Sequence, residues 1–133
     1  MKHRARSVRS EPLGILLISG THERAHYAFV MAAGAAALGR DVVVFATNAG
    51  CKALLQNWSG LDDSARDARI QQTGVAGLEE LREAALELHV RTIACEAGLR
   101  AEKIDPAGLL PGTEVAGIAT FLAAVGAGQI VTL

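Results

Sequence analysis

From residue 13 onward the chain alternates short apolar runs with longer amphipathic ones. Leu13–Ser19 and Asp41–Ala46 are almost continuously apolar, the pattern of strands covered on both faces. Between them an alanine-rich stretch from Glu23 to Leu38 predicts a long helix, with Gly39 as its natural stop. A short helix around Gly50–Leu55 follows. Gly77–Leu88 places Leu78, Leu81, Ala85 and Leu88 on one helical face. Val90–Ala94 is a β-branched run that ends on Cys95, and a helical turn over Glu96–Ala101 begins there. Pro106–Pro111 reads as a loop. Glu114–Ala116 is a short fourth strand, Ile118–Val125 a helix and Gln129–Leu133 a fifth strand. Strands alternating with helices argue for an α/β fold with a parallel sheet and right-handed crossovers. The exception is Gln56–Gly74, which holds Asp62, Asp63, Arg66, Asp67 and Arg69 without apolar periodicity. It reads as a mobile loop or lid.

Composition changes this picture little. The 133 residues are half apolar and one-fifth charged, which suits a single domain over residues 13–133 and suggests self-association. Charge is uneven. Lys2, Arg4, Arg6 and Arg9 give the first ten residues their charge and make residues 1–12 a basic tail, expected to be disordered, and beyond the first ten residues nine basic side chains stand against fourteen acidic ones. A weakly acidic body excludes nucleic acid as the expected partner. Leu13–Gly20 after a basic start has the outline of a signal peptide, yet it is short, lacks a small-residue cleavage site and stops at Thr21-His-Glu-Arg24. Val115–Leu133 carries no charged side chain over 19 residues, but Gly117, Gly126 and Gly128 interrupt it. A helix and a strand fit it better than a membrane span, and no membrane partner is expected. Two cysteines 44 positions apart match neither a zinc site nor a disulfide framework, which points to a reducing cytoplasmic home.

Cys95 is the leading candidate for chemistry. The carboxyl end of a parallel strand, facing a helix start, is where open α/β folds place reactive groups. A helix N-terminus favours the thiolate, the nucleophilic form, whereas the adjacent Glu96 carboxylate disfavours a second negative charge. The competing reading is a small buried hydrophobe. His22 is a candidate assisting group if it reaches across neighbouring strand ends, and Glu96 is a second. Cys51, near the end of strand two, is a second thiol that packs under the short helix or joins the site. His22-Glu23-Arg24-Ala25-His26 spells H-E-x-x-H, the zincin pattern. It straddles a strand-to-helix junction and carries Arg24 inside, so a zinc hydrolase through His22 and His26 is a remote alternative, and no metal site is expected. The turns at Gly20-Thr21 and Asn48-Ala-Gly50 lack a G-x-G-x-x-G or a Walker lysine, so no nucleotide cofactor is expected.

The segments together resemble the DsrE/DsrF-like family of small sulfur-relay proteins. The resemblance runs over residues 13–133. It is carried by Leu13–Gly20 with the Ala25–Gly39 helix, Asp41-Val-Val-Val-Phe-Ala-Thr47, Val90-Arg-Thr-Ile-Ala-Cys95, and Leu110–Leu122 followed by Gln129–Leu133. The closing part looks most like a larger, peroxiredoxin-like DsrE subgroup. The resemblance implies a three-layer fold with a five-stranded, mostly parallel sheet flanked by helices, and a homo-oligomer. It also implies a sulfur carrier or sulfurtransferase that holds sulfane sulfur as a persulfide on Cys95 and passes it to an acceptor thiol. TusA-like or rhodanese-like proteins are the implied partners, with no cofactor. In the subgroup a Met/Ser-rich segment usually follows the cysteine; here Glu96-Ala-Gly-Leu-Arg100 does. Some members lack a working cysteine and serve as structural subunits, so a non-catalytic interaction subunit is the alternative function.

Overall fold

A computed structural model describes residues 11–133, and of the disordered basic tail expected over residues 1–12, residues 1–10 lie outside them. Five strands form one sheet: β1 (Leu13–Leu17), β2 (Val42–Ala46), β3 (Arg91–Cys95), β4 (Glu114–Ala116) and β5 (Gln129–Thr132), in the order β4-β3-β2-β1-β5. Every pairing is parallel, from Leu13 opposite Val42 to Cys95 opposite Ala116. Five helices connect them: α1 (His22–Ala37), α2 (Arg66–Gln71), α3 (Leu78–Glu87), α4 (Glu96–Ala101) and α5 (Ile118–Val125), with a 3-10 segment at Asn48–Leu54. The α/β layering with a five-stranded parallel sheet is as the sequence implies.

Alternation along the strands sorts side chains to two faces. Ile15, Leu17, Val44, Ala46 and Ala94 meet α1, the 3-10 segment and α3 through Ala25, Phe29, Cys51, Leu54 and Leu78. Val43, Phe45 and Ile93 point the other way, where α5 alone supplies Phe121 and Val125. The Phe45 and Phe121 rings stack at 5.0 Å between centroids. Gly14 lets α5 come this close: a Cβ there would lie 2.4 Å from Val125 Cγ2 and 2.9 Å from the Phe121 ring.

The chief difference from the sequence reading lies in Gln56–Gly74. That segment is not an unstructured loop. A parallel bridge joins Thr21 to Asp62, Asp62 N–H donates to the Gly20 carbonyl at 2.8 Å, and α2 follows with Asp67 buried. Helix α2 escapes pattern reading because Arg66-Asp67-Ala-Arg69-Ile-Gln71 has no apolar stripe. It is held by polar contacts instead. Pro106–Pro111 also contains a 3-10 turn over Pro106–Gly108, capped by the Asp105 carboxylate, which accepts Ala107 N–H at 2.9 Å.

Candidate functional site

Cys95 closes β3 and is the N-cap residue of α4. Its Sγ accepts the Gly98 N–H at 3.4 Å, a bond that places partial positive charge beside the sulfur. The side chain is half-buried, on the sheet face of Ile93, where it packs against the Val43–Phe45–Phe121 cluster. Directly beside it is Ala116, the end of β4, with Gly117 and the start of α5 beyond. The tight turn after Cys95 requires Gly98. A Cβ at that position would meet the backbone nitrogen of Asn48 at 2.4 Å and Thr47 Oγ1 at 2.7 Å. Asn48 itself holds φ of 51°, a left-handed conformation that asparagine tolerates. The ends of β2 and β3 are thus locked together, and the thiol sits on rigid backbone.

The Glu96 carboxylate does not turn onto the thiol's cap. It pairs with Arg100 one helical turn on, at 3.5 Å, with both side chains largely in solvent. The charge opposed to a Cys95 thiolate is therefore partly offset and screened. This arrangement can hold a half-exposed sulfur anion and present it to an incoming electrophile.

The other candidates fall elsewhere. Cys51 is fully buried under the 3-10 segment, its thiol pointing at the Ala46 carbonyl at 3.5 Å. Burial pushes that thiol up to about 11, and the hydrogen bond from the Cys95 backbone N–H offsets only part of the effect. Cys51 is a protonated core residue at neutral pH. His22 lies on the opposite face of the sheet from the Cys95 side chain, fully buried. Its Nε2 donates to Asp67 Oδ1 at 2.7 Å, and its Nδ1 accepts from an Arg66 guanidinium N–H at 3.3 Å. No ring nitrogen remains to assist Cys95.

The zincin alternative fails on the same geometry. His22 and His26 do share a helix face, with rings stacked at 5.5 Å, but His26 Nε2 donates to the Ala76 carbonyl at 2.8 Å. Both histidines spend their outward nitrogens on protein partners, and no group of three potential metal ligands occurs among the described residues. What pattern reading missed is Asp67. Besides His22 it accepts the Leu78 backbone N–H and the Gln71 amide, each at 2.8 Å, tying α1, α2 and α3 together. Only its place in an otherwise exposed charged run marked it, and nothing in sequence connects it with His22.

Comparison with known proteins settles the family. The DsrE/DsrF-like family matches residues 13–133. The chain belongs to that family. Among curated proteins it is 26% identical over 155 aligned positions to the sulfur carrier protein DsrE2 of Allochromatium vinosum, covering 92% of this chain and 98% of that protein. Among solved structures, the ychN protein from E. coli superposes with a TM-score of 0.70 at 12% identity, over 92% of this chain and 99% of that one. MTH1491 from Methanobacterium thermoautotrophicum, a protein of unknown function, gives 0.56 at 16% identity, over 93% and 100%. At those identities the two structures speak for the DsrE-like fold alone. Among the described residues no helix is long and apolar enough to cross a membrane.

Proposed function

We propose that this DsrE/DsrF-like chain is a sulfur carrier in a relay, with Cys95 as the atom that bears the sulfur. The observation that carries the proposal is a half-buried thiol at a strand end, capped by the Gly98 N–H on a turn that no other side chain can enter. Membership of the family and the likeness to a sulfur carrier protein support the same reading. The Cys95 thiolate attacks the outer sulfur of a sulfane donor. A new S–S bond forms as the donor's S–S bond breaks, the donor leaves as a thiolate, and no net oxidation occurs. An acceptor thiolate then attacks the outer sulfur of the Cys95 persulfide and regenerates the thiolate. Rhodanese-like donors and TusA-like acceptors fit this role, as does a homo-oligomer working in the cytoplasm.

Polysulfide treatment followed by intact-mass measurement tests it. Wild type gains the mass of one sulfur, removable by dithiothreitol, and Cys95→Ser gains none while Cys51→Ser still does. Sulfur uptake by Cys95→Ser equal to wild type overturns the assignment.

A further inference from the structure

At the end of the sheet remote from Cys95, the chain encloses a cavity of about 240 Å³ beside the amino-terminal ends of β2 and β3. Val43 and Ala124, packed in the cluster under α5, give it an apolar floor. Asp41, His89 and Arg91 supply its polar lining. Asp41 precedes Val43 by two positions, and Arg91 is the register partner of Val43 on β3. A carboxylate and a guanidinium thus flank one apolar residue.

Neither charge is used up inside the fold. Arg91 donates from Nε and Nη2 to the Glu114 carboxylate at 2.6 and 2.8 Å. A guanidinium carries five N–H donors in a planar fork, so the edge away from Glu114 still has three. The Asp41 carboxylate is exposed and has no ion-pair partner among the described residues. His89 takes the left-handed position after α3, with φ of 65°, where glycine is the usual residue. The turn itself does not call for histidine, and the ring adds a group that can donate or accept.

We propose that this cavity binds a small zwitterion, an α-amino acid with a short side chain. Its ammonium group pairs with Asp41, its carboxylate takes the open edge of Arg91 beside His89, and its side chain rests on Val43 and Ala124. Size points the same way, since sites for larger ligands run to roughly 300–1,000 Å³. A simple amine leaves the Arg91 edge unanswered, and a simple carboxylate meets Asp41 with nothing to offset the repulsion. The site stands apart from the sulfur chemistry, because Cys95 closes β3 four residues further on.

Titration of the full chain with L-valine, followed by NMR of the Val43 and Ala124 methyl groups, tests the proposal. Both methyl signals should shift and saturate with a Kd of about 1 mM or below. Isobutylamine and isovalerate, each lacking one of the two charges, should bind at least tenfold more weakly. Asp41→Asn and Arg91→Gln should each weaken L-valine binding at least tenfold. Both side chains are exposed, and an unchanged spectrum away from the cavity shows that the variants are folded. No saturable shift, or a variant that binds as wild type does, overturns the proposal. So does isobutylamine or isovalerate binding as tightly as L-valine, which would make the cavity a site for a single charge.

Discussion

Asp67 ties three helices together through one buried carboxylate, which accepts from His22 on α1, from Gln71 on its own α2 and from the Leu78 N–H at the start of α3. Burial alone pushes its carboxyl up, but hydrogen bonds from His22, the Leu78 N–H and Gln71 outweigh that and hold it below the ordinary 3.8. A carboxyl held low stabilises the fold at pH values above its unfolded-state value, and that contribution disappears as pH falls through the folded-state value. Asp67→Asn should therefore cost about 1–3 kcal/mol at pH 7, with His22 and the start of α3 losing their charged partner. The gap to wild type should narrow as the pH drops below about 4. Urea denaturation at both pH values checks this, and a constant gap would show that the charge contributes nothing.

At the scale of elements, the strands were legible because burial on both faces leaves continuous apolar runs such as Val42-Val-Val-Phe-Ala46. Helix α1 was legible through its alanine-rich run and Gly39, which takes φ of 89° past its end, whereas its N-cap, the Thr21 hydroxyl that accepts the Arg24 N–H, emerges only from the structure. Helix α2 was not, because its contribution is polar and long-range. The same holds for Arg82, which sits on α3 among residues that look like a solvated face. Its side chain is 1% exposed, and its guanidinium donates to the carbonyls of Ala53, Leu55 and Gln56, where the 3-10 segment ends, and to Glu79. An arginine satisfies three carbonyls at once because its donors form a planar fork. Removing it strands the buried Ala53 carbonyl and takes the donor from the less buried Leu55 and Gln56 carbonyls, at roughly 1–3 kcal/mol for a buried group so stranded. Arg82→Ala should lower stability by about 3 kcal/mol or more, and Arg82→Lys should recover only part of that in the same denaturation experiment. The site suffers from the same blindness. Cys95 was visible, but the Gly98 cap, the Glu96–Arg100 pair and the separation of His22 onto the far face are facts of folding, not of spacing.

For the whole molecule the decisive asymmetry is between the two sheet faces. One is covered by α1, α3 and the 3-10 segment, and the other by an eight-residue helix resting on Phe121 and Val125. Three layers are needed because a parallel sheet exposes apolar side chains on both faces. Here the third layer hangs on a single ring, fully buried and stacked on Phe45. Phe121→Ala removes that ring where Gly14 allows its closest approach and leaves a space against the Phe45 ring. The expected loss is about 3–5 kcal/mol, the range for phenylalanine truncation in a core. It should not be uniform. With α5 loosened, Val43, Phe45 and Ile93 are uncovered together with the packing under Cys95, whereas Cys51 on the opposite face stays enclosed. Two measurements on native Phe121→Ala check this. Cys95 should alkylate faster than in wild type and the dye ANS should bind, while Cys51 remains unreactive until global unfolding. Equal protection of both thiols would mean that the two layers open as one unit, and that α5 is no weaker than the rest of the fold.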